Sequence, residues 1–182
     1  MKKIVVNKVG GPEVMECVDF DLGTKELLPN SVRIKHKSIG VNFIDTYHRS
    51  GLYPAKTPFT PGLEAVGEII GVAPGVVGLV VGDRVGYSSP PLGAYSEVRD
   101  ISCEKIFKIP ESVGDDEAAS LLLKGMTVEY LFNRTFGITP QTGVLFHAAA
   151  GGVGLIACQW ARAIGCKIIG TVGSEEKISL AK

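Results

Sequence analysis

VLFHAAAGGVGLIACQWARAIGCKIIGTVGSEEK, Val144 to Lys177, is the stretch that decides the fold. With the preceding Gly143 it opens on a short apolar run, GVLFHA, of the length of a buried parallel strand. A small-residue turn, Ala149-Ala150-Gly151-Gly152-Val153-Gly154, follows at once. Val153, Ile156, Ala157, Trp160, Ala161 and Ile164 then recur at helical spacing, and Gly165 stands where a helix C-cap belongs. KIIGTV is a second short apolar run. The order strand, glycine turn, helix, strand predicts one βαβ unit of about 30 residues.

The chemistry of a dinucleotide explains the turn. A pyrophosphate is held by backbone N–H groups at a helix N-terminus, and side chains there would keep it away. Gly151 and Gly152 permit close approach, and Gly154 lets helix and strand pack together. Ala149 replaces the first glycine of the G-x-G-x-x-G pattern. After the second strand, a site for NAD places an Asp or Glu near the ribose 2′-hydroxyl. This chain carries Gly173 and Ser174 there, with Lys177 three residues on. A small hydroxyl and a cation suit a 2′-phosphate, so the expected cofactor is NADPH, provided Glu175 and Glu176 point outward. The competing reading makes Lys177 an ordinary solvated helix residue.

The chain before this unit reads differently. KKIVVNK, SVRIKHKSIGV, LEAVGEIIGVA, GAYSEVRD and CEKIFKIP are short strand candidates separated by Gly and Pro signals, a spacing that predicts a small β-barrel or sandwich. Gly67 and Gly71 mark bulges or close approaches in the third of these. NFIDTYHRSG reads as a short helix or turn with polar side chains, and LYPAKTPFTPG as a surface loop. The grammar changes at Pro110. Asp115, Asp116 and Glu117 open a helix, as acidic residues in a first turn should. Gly125 is expected to end that helix, and TVEYLFNRTFG to form a second one ended by Gly137. The domain boundary is placed near residue 124, giving a β-rich domain over 1–124 and the start of a nucleotide-binding domain over 125–182.

Composition narrows the partners. The 182 residues carry zero formal net charge, with no lysine–arginine block, so no nucleic-acid partner is expected. No apolar run reaches the ~20 residues a membrane span needs, and no membrane association is expected. The apolar part of MKKIVV is too short for a secretory signal. The four cysteines, Cys17, Cys103, Cys158 and Cys166, lack C-x-x-C spacing. They read as reduced thiols of a cytoplasmic protein, with no metal site among them.

GGPEV, SIGVNFIDTYHRSGLYP, PGLEAVGEI, GDRVGY, GAYSE, LLLKGMTVEYL and the stretch quoted above occur in an order that resembles the medium-chain dehydrogenase/reductase superfamily. Within it the chain is most similar to the NADPH:quinone oxidoreductases of the zeta-crystallin-like, zinc-free branch. The resemblance implies a GroES-like β-barrel catalytic domain followed by the first βαβ part of a Rossmann NADPH-binding domain. It also implies site residues. Asn42, Asp45 and Tyr47 belong by the nicotinamide and Tyr53 near the quinone. Lys124, Gly125 and Thr127 belong to a hinge segment that touches the cofactor. Ala150, Gly151, Gly152, Val153 and Gly154 cradle the pyrophosphate, and Gly173, Ser174 and Lys177 face the adenosine 2′-phosphate. Without the resemblance, Asn42, Asp45 and Tyr47 read equally as a helix cap and surface polarity.

Zinc alcohol dehydrogenases of the same superfamily place a cysteine where this chain reads Asn42-Phe43-Ile44-Asp45 and a histidine where it has Leu63. Leucine cannot ligate zinc, so the expectation is hydride transfer from NADPH to a quinone without metal. His36, His48 and His147 are expected to be structural or surface residues. An enoyl or alkenal reductase of the superfamily shares the chemistry. Measured against the family, the chain looks C-terminally truncated, and family members are homo-oligomers whose dimer contacts lie in the missing part. A folded, non-catalytic remnant that at most binds nucleotide weakly is therefore the competing reading.

Overall fold

Val32 and Ile34 alternate with polar neighbours along SVRIKHKSIG, and both are buried, so this run is a sheet strand with one face packed on a core. The computed structural model describes residues 1–23 and 25–182. They form two compact units, Met1–Leu122 and Leu123–Lys182.

In the first unit, β1 (Lys2–Val6) and β2 (Met15–Asp19) make an antiparallel hairpin. β3 (Ser31–Gly40) leads into α1 (Phe43–Ser50), followed by β4 (Glu64–Val72), β5 (Arg84–Ser88), β6 (Val98–Ser102) and the two-residue β7 (Phe107–Lys108). These strands form one antiparallel sheet in the order β6-β3-β4-β5-β7. The expected barrel is corrected in one respect: among the described residues the hydrogen-bonded ladder does not close. It ends at β6 and at the short β7, and β1 meets the neighbouring backbone only through the single bridges Lys3 to Ser96 and Val6 to Phe59.

The β3–β4 register slips twice, between Arg33 and Ile34 and between His36 and Ser38. Gly71 and Gly67 stand opposite these slips, as the glycine pattern predicts. At Gly67 a methyl group would press on the backbone of Lys35 and His36. Val32, Ile34, Ala65, Ile69, Val85, Tyr87, Ala94 and Ile101 make the core of this sheet. Arg33 and Asp100 face each other across β3 and β6 and join through two hydrogen bonds, 2.7 and 3.1 Å long.

α2 runs over Asp115–Glu129 and passes into a π-helical turn, Tyr130–Thr135. Gly125 was expected to end a helix and does not; it lies inside α2. A methyl group at Gly125 would meet no atom within 4 Å, so nothing forces a break there. Thr127 Oγ1 donates 2.7 Å to the Leu123 carbonyl, on the turn that contains Gly125. The cost of one interior glycine, about 1 kcal/mol, is too small to stop a helix whose far end packs on a core.

The second unit continues with β8 (Gly143–Phe146), α3 (Gly152–Ile164), β9 (Lys167–Gly170) and a terminal turn, α4 (Ile178–Ala181). β8 and β9 pair in parallel through the α3 crossover, which is the βαβ unit read from the sequence. Gly165 caps α3 in the left-handed region, φ 84°. The core is built from Val128 and Phe132 against Ala157, Ala161 and Cys166, with Val153, Ile156, Trp160 and Ile164 packed around it. The cross-strand partners Leu145 and Ile169 remain 62% and 56% exposed, because two strands and one crossover helix cover a single face of this sheet.

Candidate functional site

Within the second unit, the turn between β8 and α3 is held by its backbone. Thr171 N–H donates to Phe146 O and Ala149 N–H to Thr171 O, both at 2.9 Å, so the turn is fastened to the end of β9. Ala148 adopts φ 56°, a left-handed position that three consecutive alanines do not announce. Gly151 N–H then closes back on Ala148 O at 2.8 Å, and Gly151 becomes the N-cap of α3. The first-turn amides of a helix, here those of Gly152, Val153 and Gly154, have no intrahelical acceptor and carry the positive end of the dipole.

The glycines differ in what requires them. At Gly154 a methyl group would stand 2.5 Å from the Ala149 carbonyl oxygen and nearer still to that of Ala148. Gly154 is therefore fixed by the close approach of α3 to its own entry turn. At Gly152 the nearest atoms are Lys124 Cδ and Cε, both 2.9 Å from the same hypothetical methyl. Lys124 thus lies over the turn, which joins two of the cofactor residues expected from the sequence. Thr127 spends its hydroxyl hydrogen on the Leu123 carbonyl. Gly173, Ser174 and Lys177 are exposed, and so are Glu175 and Glu176. Lys177 N–H donates to Ser174 O at 3.2 Å, which keeps the two together.

Within the first unit, α1 organises the other residues. Asn42 is its N-cap, extended at φ −127°. Asp45 Oδ2 accepts from Asn42 N–H at 2.9 Å and from the Tyr95 hydroxyl at 2.8 Å. Asn42 Nδ2 donates to Glu64 Oε2 at 2.6 Å. Asn42 and Asp45 are each 6% exposed, so the cap reading holds for both and surface polarity does not. Burial first, then the bond to Asp45, push the Tyr95 phenol above its ordinary range. Asp45 Oδ1 and His48 Nδ1, one turn apart on α1, are buried without a hydrogen-bond partner among the described residues.

Gly51 ends α1 in the left-handed region, φ 84°, and Tyr53 N–H reaches back to Tyr47 O at 3.0 Å. This reversal lays the Tyr53 ring 5.2 Å from Tyr47 and 5.7 Å from His48. Phe43 stands edge-on to Tyr47 at 5.4 Å and is 74% exposed. The result is an accessible row of rings on one side of α1, able to stack on a flat, apolar ligand. The sequence reading named Tyr47 and Tyr53 and did not name Phe43, Glu64 or Tyr95. The one available signal was Glu64, a carboxylate inside the apolar run LEAV.

His36 and His147 are placed as expected. His36 Nδ1 donates 2.5 Å to Ser96 O and Nε2 accepts from the Tyr87 hydroxyl at 3.0 Å, which makes His36 a structural residue. His147 is exposed beside Thr171.

Residues 28–133 match the alcohol dehydrogenase GroES-like domain. The chain belongs to this family. Among its relatives is the quinone oxidoreductase of Pseudomonas aeruginosa, 48% identical over all of this chain and 55% of that protein. A 2-haloacrylate reductase from Burkholderia is 43% identical over 98% of this chain and 55% of its own length. The crystal structure of Escherichia coli quinone oxidoreductase complexed with NADPH has a TM-score of 0.95 at 47% identity, covering 100% of this chain and 55% of that one. The chain thus spans about half the length of the relatives it matches. Among the described residues no helix is long and apolar enough to cross a membrane.

Proposed function

We propose that this chain carries the NADPH-binding and quinone-binding residues of a zinc-independent quinone reductase. The observation that carries the reading is the fixed turn at Gly151–Gly154. Its first-turn amides, with the Lys124 side chain over Gly152, suit a diphosphate. NADPH supplies the hydride when bound. The residues Ala150 to Gly154 bind the pyrophosphate, while Lys124, Gly125 and Thr127 border the cofactor. Ser174 and Lys177 hold the 2′-phosphate beside Gly173, whose lack of a side chain leaves room for it. Asn42, Asp45 and Tyr47 orient the nicotinamide end, and Tyr53, stacked with Tyr47, offers a ring face to the quinone. No side chain is required to donate strongly to the acceptor, because a quinone takes hydride with little polarisation; position and exclusion of water do the rest.

Support for a step without metal comes from the donor set. Leu63 is 6% exposed, and its side chain has no ligand atom. Support for NADPH over NADH comes from the absence of an acidic residue at Gly173 and Ser174.

The test is NADPH oxidation by the protein with benzoquinone as acceptor, alongside the melting temperature with and without NADPH. Turnover together with a thermal shift is expected. Absence of both leaves a folded chain without the activity and sinks the reading. The relative named as a 2-haloacrylate reductase favours a second reading, reduction of an electron-poor carbon–carbon double bond by the same hydride. Turnover of an α,β-unsaturated acid exceeding that of benzoquinone would establish it instead.

A further inference from the structure

We propose that Glu64 is a positioning residue: its buried carboxylate fixes the Asn42 side-chain amide at the head of α1, and through it sets the affinity for NADPH. The inference rests on the functional reading above.

Glu64 is 0% exposed at the start of β4, where LEAVG is buried throughout. A strand buried on both faces is most stable with apolar side chains, and an ionised carboxylate in that position is a large desolvation burden. The structure makes room for it deliberately. Gly40 is the register partner of Glu64 on β3, and a methyl group at Gly40 would stand 2.5 Å from Glu64 Cδ and collide with the Ala119 carbonyl. Residue 40 therefore has to lack a side chain for the carboxylate to fit.

What the carboxylate does in that slot is accept from Asn42 Nδ2 at 2.6 Å. A side-chain amide has nearly the same shape in both of its flips, and a neutral partner with donor and acceptor would tolerate either. A carboxylate only accepts, so it selects the flip with the NH2 group toward Glu64. Asn42 is in turn bonded through its backbone N–H to Asp45, which takes the Tyr95 hydroxyl. Glu64, Asn42, Asp45 and Tyr95 thus form one continuous hydrogen-bonded chain, anchored in the sheet at one end. The helix that carries Tyr47 starts from its middle. Displacing Asn42 or turning its amide changes what the head of α1 presents to the cofactor.

The experiment uses the whole chain and two readouts that do not depend on turnover: the Asn42 side-chain NH2 signals in nitrogen-15 NMR, and the NADPH dissociation constant from fluorescence. In the wild type the Asn42 amide protons exchange slowly, with one shifted downfield. E64Q keeps the shape but sets a donor beside its acceptor, so it no longer selects one flip: the protection falls and NADPH binding weakens about threefold. E64L removes the acceptor, loses the protection and weakens NADPH binding about tenfold. E64D, which keeps the charge but shortens its reach, behaves as E64L and serves if E64L does not fold. In an N42A background E64D has no further effect on affinity. Wild-type affinity in E64D and E64L overturns the proposal, as does an E64D loss that persists unchanged in N42A. Failure of the wild type to bind NADPH at all overturns the functional reading and the cofactor role of Glu64 together, and is distinguished by occurring before any substitution is made.

Discussion

The stem of Lys124 lies across Gly152: a methyl group at residue 152 would stand 2.9 Å from its Cδ and Cε. The neighbouring Gly154 faces the backbone carbonyls of Ala148 and Ala149. The two positions therefore respond differently to the same substitution. G152A displaces the far end of a flexible side chain and changes stability by less than about 0.5 kcal/mol. G154A forces the α3 entry turn apart and costs about 2–3 kcal/mol, as overpacking against rigid backbone does. Urea denaturation of the two variants measures the difference. Equal losses would mean that the turn is softer than the close approach at Gly154 implies.

Lys177 and Ser174 are exposed and joined through a backbone bond, and the residues at 173 and 174 carry no carboxylate. K177A should weaken NADPH binding about tenfold, the worth of one charge-assisted contact. NADH binding should be nearly unchanged, because NADH lacks the 2′-phosphate. Titration of both cofactors by fluorescence decides it. An equal loss for both would move Lys177 to a part the two cofactors share, and no loss for either would return it to an ordinary surface role.

His36 gives a stability that depends on pH. Burial is the main cause that lowers its pKa from 6.5 to about 4; the Ser96 carbonyl opposes this and the nearby Arg99 adds to it. The imidazole is bonded to the Tyr87 hydroxyl and the Ser96 carbonyl, and Arg99 stands over the Tyr87 ring. Because the folded pKa lies below the unfolded one, the unfolded chain binds the proton first as pH falls. The contribution of His36 is complete above pH 6.5 and declines as pH falls toward 4, by about 3 kcal/mol over that window. Denaturation midpoints of the wild type and H36Q, compared between pH 7.5 and 4.5, should converge at the acid end. A constant gap would show that His36 is not held neutral.

The βαβ unit was legible because three signals agree: a short apolar run, a glycine turn and the 3.6-residue spacing from Val153 to Ile164. The bulges opposite Gly67 and Gly71 were legible for a similar reason, since a strand glycine has few other uses. Closure of the sheet was not legible, because strand spacing reports how many strands exist and not whether the last finds a partner. In the chain Glu64–Asn42–Asp45–Tyr95 the two outer links span 22 and 50 positions, which no local pattern encodes, while the Asn42–Asp45 link is the three-residue spacing of a helix cap. Ala148 was missed because its left-handed backbone is imposed by the bonds of Ala149 and Thr171 and not by its own preference.

Gly125 separates a folding role from a binding role. It lies inside α2, has no left-handed φ, and has open space where a methyl group would stand. Nothing in the helix needs a glycine there, and a glycine in a helix interior is about 1 kcal/mol worse than alanine. G125A should therefore stabilise the protein by about 0.5–1 kcal/mol, partly by restricting the unfolded chain. If Gly125 borders the cofactor, the same methyl group projects into the space the cofactor needs, and NADPH affinity should fall while the melting temperature rises. Opposite movement of the two measurements would identify Gly125 as a residue kept for close approach of a ligand. A stabilised protein with unchanged NADPH affinity would remove Gly125 from the site and leave Lys124 as the contact from that turn of α2.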